Sequence, residues 1–355
     1  MSQASVCLIL RILWQRGMTI VLQTKLILLE GVPGSGKSTL AQTLLRHLVR
    51  QGIPTRWWYE EDAAHPVYVF HDRASLQHIL AELSSGQHAQ VVTRALTQWQ
   101  RFAEAVQSSE EVVLLDGCLF GYLTWSLFPL AIPDVEIRAY LAAVERIIAP
   151  LAPCLIYLYQ GDIAASFHRV FASRGPTIEH AYVRNIEMSP YGTLHGLRGF
   201  TGLVRYWMTY RALTDAAFAA LPWPKVALDT TDGAWDAYEQ RTLDLLGLPP
   251  TARADTRLPT HLSHFVGLYR SIDGAPPVTC TVRLEGDVLL LDGMPEVWPH
   301  ARLVRKAPGV FDVASLPIEI SFTEDVAGGG PNTMHLKAPA LLGDSIPKVF
   351  KRGNA

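Results

Sequence analysis

The sequence predicts an α/β fold, a parallel sheet with helices on both faces, followed by a smaller all-β barrel or sandwich. Three observations predict it. Strand-length apolar runs alternate with helical patterns from Lys25 to Leu246, the order that builds a covered parallel sheet. A glycine-rich turn, GVPGSGKS at residues 31–38, joins the first such run to the first helical pattern. Beyond Pro259 the character changes to short strand-like runs separated by Asp-Gly, Glu-Gly and Gly-Gly turns.

The first run, KLILLE at residues 25–30, is apolar and of strand length. After the turn, Leu40, Leu44, Leu45 and Leu48 fall at helical spacing until Gly52 and Pro54 stop the pattern. The eight residues between fit G-x-x-x-x-G-K-[ST], the phosphate-binding loop. Glycines there let backbone N–H groups converge on a phosphate, and the following helix adds its positive N-terminal end. Lys37 can reach the outer phosphates as a point charge, and the Ser38 hydroxyl can ligate Mg2+. Gly31, Gly34, Ser35, Gly36, Lys37, Ser38 and Thr39 are therefore the expected nucleotide-binding residues. A chance glycine-rich turn is the plain alternative, and the strand and helix signals on either side argue against it. With this motif the fold class narrows to a three-layer P-loop NTPase sheet.

The remaining elements follow in order. TRWWYEE at residues 55–61 reads as a second strand that carries Glu60, Glu61 and Asp62 at its end. Residues 75–106 are helical in character, interrupted near 84–86. EVVLLD at 111–116 is a buried strand that ends in Asp116, and helices over 121–130 and 135–148 flank Pro133. CLIYLY at 154–159 is the next buried strand, and Asp162 suits the N-cap of a helix running to Arg174. Residues 175–202 read as a long loop or broken helix, functional or mobile. A helix over 206–221, a strand over 225–229 and a helix over 235–246 complete the first part. In the second part, strand-like runs cover 264–270, 278–284, 288–291, 301–306 and 318–322. No internal repeat at a fixed period is visible.

Three clusters bear on chemistry. Asp116 can hold a water on Mg2+ or contact an acceptor; capping the next helix is its plain reading. One of Glu60, Glu61 and Asp62 can accept a proton during phosphoryl transfer, with Glu61 placed slightly ahead of Glu60; a surface turn carries the same residues. Arg169 and Arg174, with His168 between the strand and the long segment, suit the charge of a transferring phosphoryl group, while a solvated helix end looks alike. Arg184, His195 and Arg198 are weaker candidates. The aromatics Trp57, Trp58, Tyr59, Trp125 and Phe128 read mostly as core.

At 355 residues the chain exceeds one ordinary core. The expected division is an extension over 1–20, an α/β part over 21–248, a linker over 249–259 and a β-rich part over 260–355. The change of composition near Pro250 predicts that a chain ending there remains soluble and keeps nucleotide binding. A net charge of −2 provides no broad basic field, which argues against nucleic acid as a partner. Cys7, Cys118, Cys154 and Cys280 lie far apart and read as reduced thiols. The apolar residues 6–14 are too short to span a bilayer and lack signal-peptide flanks, so the expected location is the cytoplasm, with no membrane partner. Met18 lies seven residues before the first strand, where such domains often begin. A homodimer stays open.

Three stretches carry a resemblance. KLILLEGVPGSGKSTLAQTLL, EVVLLDG and PCLIYLYQGDIAASFHRVFASRG resemble the opening, third strand and lid segment of thymidylate kinase-like P-loop kinases. The resemblance covers roughly residues 21–247. It implies a small-molecule or mononucleotide kinase fold, ATP as donor, and Arg169 and Arg174 as lid arginines. Two departures fall where the acceptor binds: Gly117 and Cys118 replace an arginine and an aromatic, and EEDAAHP replaces an arginine-glutamate-proline turn. Thymidine monophosphate is thus not implied. HFVGLYR and VRLEGDVLLLDG resemble, over a short span, the small lipocalin-like β-domain appended to some β-lactamase-family proteins.

The leading expectation is an ATP-dependent kinase acting on a small-molecule acceptor through Lys37, Glu61, Asp116, Arg169 and Arg174, with Mg2+ on Ser38 and Asp116. The alternatives are an NTPase switch whose β-domain binds a partner, and a 5′-polynucleotide kinase, which needs a basic groove.

Overall fold

The computed structural model describes residues 22–250, 261–273, 276–324, 331–343 and 346–353. The expected N-terminal extension, most of the linker and the turn at 328–330 lie outside them. The first part holds five strands: β1 (Leu26–Gly31), β2 (Thr55–Trp58), β3 (Val112–Asp116), β4 (Cys154–Tyr159) and β5 (Lys225–Asp229). They pair in parallel in the order β2-β3-β1-β4-β5, so β1 lies at the centre. Its residues Leu26, Ile27, Leu28 and Leu29 are fully buried, because both faces of a parallel sheet are covered.

Ten helices among the described residues cover those faces. They are α1 (Lys37–Arg50), α2 (Arg73–Ser84), α3 (His88–Gln107), α4 (Leu123–Leu127) and α5 (Asp134–Ile148), then α6 (Ile163–Arg174), α7 (Pro176–Met188), α8 (Pro190–Leu194), α9 (Gly199–Ala220) and α10 (Trp235–Leu246). On one face Leu40, Leu44 and Leu48 of α1 pack with Ile27, Leu29, Ile156 and Leu158. The other face holds a larger aromatic core that includes Trp99, Phe120, Phe167, Tyr206 and Trp207.

Of the two readings of segment 175–202 the broken helix holds: α7, α8 and the start of α9 fill it, with a non-helical link over residues 195–198. Gly175 ends α6 and starts α7 at φ 93°, and Pro176 and Pro190 each open a helix, where a missing N–H costs nothing. Strand β2 also ends three residues earlier than the pattern of TRWWYEE implied, because Asp62 folds the chain back: its carboxylate accepts from the Tyr59 amide at 3.0 Å.

The second part is a closed eight-stranded antiparallel barrel. Its strands are β6 (Gly267–Ser271), β7 (Thr279–Glu285), β8 (Val288–Asp292), β9 (Ala301–Ala307), β10 (Val310–Val313), β11 (Glu319–Glu324), β12 (Pro331–Lys337) and β13 (Val349–Arg352). Each pairs with the next in sequence, and β13 returns to β6, so no edge remains. Inward residues alternate with outward ones, as in Cys280 and Val282 of β7 or Ile320 and Phe322 of β11, and Tyr269, Phe311, Met334 and Phe350 fill the interior.

The two parts are joined tightly. Tyr59, 4% exposed, belongs to the barrel's core cluster, and Trp57 packs against it. Gln42 of α1 is buried; its amide donates to the Val313 and Leu316 carbonyls at 2.9 and 3.0 Å and accepts from the Ser315 amide at 3.2 Å. Asp62 forms a bridge with Leu341, and the Ala63 and Leu342 amides exchange bonds with the Ala340 and Glu61 carbonyls. A chain ending at Pro250 therefore uncovers Tyr59 and Trp57 and orphans Gln42, which reverses the expectation drawn from composition. That truncated chain is expected to aggregate. In the full chain, Gln42→Ala should cost about 2–4 kcal/mol, since buried groups lose their partners. Urea unfolding checks it: a loss under about 0.5 kcal/mol, within the range of a surface substitution, would show the interface to be dispensable.

Candidate functional site

The C-terminal ends of β1, β3 and β4 converge with the N-terminus of α1. Gly31 closes β1, and the turn passes to Gly36, the N-cap of α1, at φ 96° and ψ 18°. That left-handed conformation excludes most side chains, and a Cβ there would also lie 2.1 Å from the Trp235 ring. No side chain caps the helix, so its first amides stay open for an anion. Gly34 is exposed, and its carbonyl lies 3.5 Å from the Gln160 amide. The Ser35 carbonyl accepts from Thr230 at 2.9 Å, while its buried hydroxyl has no partner.

Lys37 is buried at the first helical position and lies 3.7 Å from Glu60. Burial pulls its ammonium down, but Glu60, Asp116 and Glu30 together outweigh that, and its pKa lies above the ordinary value. Gly117 makes the pairing sterically feasible. At φ 68° it follows Asp116, and a Cβ there would sit 2.6 Å from Glu60 Oε2 and 3.1 Å from Lys37 Cε. A glycine at this position thus leaves room for the ion pair.

Asp116 is fully buried at the end of β3, opposite Leu29. Burial and the nearby Glu60 push its carboxyl well above the usual range. The Ser38 hydroxyl approaches closely enough to lower the pKa, but not in hydrogen-bond geometry, and both carboxylate oxygens lack partners. Two orphaned carboxylate oxygens beside a hydroxyl fit a hydrated magnesium ion. Among the described residues no group of three or more His, Cys, Asp or Glu is arranged to hold a metal by itself. The Thr39 hydroxyl turns away from the turn and meets Ser315 of the barrel at 2.7 Å.

The three adjacent acids separate. Glu60 faces Lys37 with its side chain 37% exposed. Asp62 closes the turn, as described. Glu61 points toward the barrel: burial, then Glu60 and Glu296, push it up to about 7, and Arg174 opposes them. The geometry brings Glu60, not Glu61, to the lysine.

Two residues missed in the sequence reading sit behind Glu60. His65 Nε2 lies 3.1 Å from Cys118 Sγ, its ring stacks on Tyr68 at 4.0 Å, and the Tyr68 hydroxyl donates to the Glu60 carbonyl at 2.9 Å. Burial pushes His65 down to about 3, so it is neutral. The histidine turn and the cysteine therefore meet in one buried contact that supports Glu60. Glu30 was read only as part of a strand. It is fully buried and accepts from the Leu119 and Phe120 amides at 2.6 and 3.0 Å. Burial pushes it up to about 7 against those amides.

The two arginines do not share a region. Arg169 donates to Gln160 at 2.8 Å, beside the turn, whereas the Arg174 guanidinium lies 4.0 Å from the centroid of the Trp298 ring in the barrel. His168 stacks on Phe200, His195 lies against Tyr191, Arg184 donates to Met188 of its own helix, and Arg198 to the Leu197 carbonyl.

Lys37 and Glu60 both line a cavity of about 280 Å³ that also touches Gly31 and Gly121. Its walls are largely aromatic and include Trp125, while Phe128 packs in the core behind. No family model and no curated protein matches the chain. No helix among the described residues is long and apolar enough to cross a membrane.

Glu61 generates a pH-dependent prediction. Its folded pKa lies above the ordinary 4.5, so folding is penalised as pH rises through 4.5 toward 7, and the penalty is complete above 7. At about 1.4 kcal/mol per pH unit, Glu61→Gln should stabilise the chain by at most about 3 kcal/mol at pH 8. The gain should shrink steadily toward pH 5. A difference in unfolding free energy that stays constant across this interval would mean that Arg174, not burial, governs Glu61.

Proposed function

We propose that the chain is an ATP-dependent kinase that passes the γ-phosphoryl group to a hydroxyl of a small-molecule acceptor. The observation that carries this reading is the Lys37–Glu60 pair, set between an uncapped helix N-terminus and an aromatic-walled cavity. Phosphates suit the first, an acceptor suits the second, and the pair stands where the two would meet. The strand order β2-β3-β1-β4-β5 with a glycine-rich turn after the central strand supports the likeness to thymidylate kinase-like P-loop kinases.

In this reading the amides of residues 34–38 and the Lys37 ammonium hold the phosphates of ATP. Ser38 and Asp116 would hold Mg2+, which when bound supplies charge neutralisation at the phosphates. Glu60 accepts the proton of the acceptor hydroxyl as its oxygen bonds to the γ-phosphorus and the bond to ADP breaks. Tyr68, through the Glu60 carbonyl, and the His65–Cys118 contact behind it hold that carboxylate in place. Arg169 and Arg174 are the proposed lid arginines, one already beside the turn and one requiring release from Trp298. A supply of ATP and the buried thiols of Cys118, Cys154 and Cys280 accord with a cytoplasmic setting.

A second reading, an NTPase switch, draws on the barrel's contact with α1 and with Arg174. The two differ in product: a kinase yields ADP with an acceptor and no free phosphate, and a switch yields free phosphate alone.

Lys37→Ala should fold and lose turnover by at least about a hundredfold. Glu60→Gln should keep ATP affinity and lose about 10²–10⁴-fold in kcat, whereas Glu61→Gln should lose little. Steady-state assays over a metabolite panel, with ATP affinity measured by calorimetry, check this. Wild-type turnover in Glu60→Gln would sink the assignment of the base. For the arginines, Arg169→Ala and Arg174→Ala should lower the single-turnover rate more than ATP affinity. Equal losses in both quantities would make them ground-state phosphate ligands.

A further inference from the structure

The cavity beside Lys37 limits what the acceptor can be, and this step rests on the phosphotransfer reading above. Its walls include Phe120, Trp125, Tyr182, Tyr206, Trp207 and Tyr210. At about 280 Å³ it suits a body of one or two rings. Lys37 is the one cation among the described residues that line it, and that ammonium already faces Glu60, Asp116 and Glu30. Arg169 is bonded to Gln160, Arg174 lies over Trp298, and neither lines the cavity. A phosphate group on the acceptor would thus enter an aromatic chamber whose lining offers it the Glu60 carboxylate and only an ammonium already paired with that carboxylate. Burying such a dianion unpaired is strongly unfavourable.

We infer that the acceptor is an uncharged hydroxyl compound with a planar, largely apolar body, and not a phosphorylated compound such as a nucleoside monophosphate. Aromatic walls bind such a body by burial and by stacking or edge contacts. The reacting hydroxyl lies at the Glu60 end, loses its proton to that carboxylate and forms the bond to phosphorus as ADP leaves.

Binding to the full chain without ATP reads the preference directly, through quenching of tryptophan fluorescence. The probes are matched pairs: 2-phenylethanol with 2-phenylethyl phosphate, and thymidine with thymidine monophosphate. The neutral member should bind at least about tenfold more tightly wherever either member binds, a difference of about 1.4 kcal/mol. Trp125→Ala, at a residue 39% exposed, should weaken the neutral ligands at least about fivefold by removing stacking area. Asn185→Arg, at an exposed wall position, should move the preference toward the phosphate-bearing member. Tighter binding of the phosphate-bearing members by the wild-type chain, or no binding of any neutral probe at about 1 mM, overturns the inference. ATP affinity is measured separately on the same protein. Absence of ATP binding overturns the phosphotransfer reading itself; a charged preference with ATP binding intact overturns only the acceptor class.

Discussion

One lysine against three carboxylates is the interaction on which the rest of the site depends. Lys37 opens α1, where the helix dipole already disfavours a cation, and it is buried as well. Glu60 at 3.7 Å, with Asp116 and Glu30 behind it, supplies the compensating charge. Near a protein surface such a pair is worth a few kcal/mol before desolvation is subtracted, so a single neighbour does not suffice. The carboxylates in turn crowd one another, and burial raises both Asp116 and Glu30. Both acids are thus held toward their protonated forms near neutral pH, carrying protons that a cation bound there would displace.

The barrel contributes to this arrangement through α1. Thr39, Gln42 and Arg46 lie on one face of that helix and meet Ser315, the Val313 and Leu316 carbonyls, and Asp312 at 3.6 Å. The same helix carries Lys37 at its start and packs Leu40, Leu44 and Leu48 on the sheet. Its axis is thus held from two sides, by an apolar face on the sheet and a polar face on the barrel. The barrel also receives Tyr59, the residue just before Glu60. Both members of the Lys37–Glu60 pair are therefore fixed partly by a domain that contributes no residue to the cavity wall.

What was legible in the sequence was local. β4 and β5 begin and end where their apolar runs do, and α10 fills its predicted range, because neighbours in sequence decide those boundaries. The turn after β1 follows from its glycines. The choice between Glu60 and Glu61 was not legible, since it depends on the Asp62 carboxylate capturing the Tyr59 amide and turning the chain one residue after β2. The His65–Cys118 contact joins residues 53 positions apart and has no local signal. Strands β10, β12 and β13 escaped notice because half of each faces water and carries polar residues, as in PNTMHLK. For residues 175–202 the broken-helix alternative holds, and its breaks could not be placed because prolines open helices as readily as they break them.

The placement of the arginines bears on how the site closes. Gln160, at the end of β4, gathers three contacts: its side chain accepts from Arg169 and approaches the Gly34 carbonyl, and its own carbonyl accepts from Arg211 at 2.7 Å. Arg169 is thus coupled to the turn through a single amide, without rearrangement of α6. Arg174, five residues on, is held by Trp298 of the barrel and feels Glu61 nearby. A cation–π contact of this kind is worth about 0.5–2 kcal/mol, and a charge-assisted hydrogen bond to phosphate about 1.5–3 kcal/mol. The two are of similar size, so a bound phosphate can compete with Trp298 for Arg174 without either contact being decisive alone. In the proposed phosphotransfer a reversible closing motion would use that balance, with Trp298 as the place where the guanidinium rests in this structure.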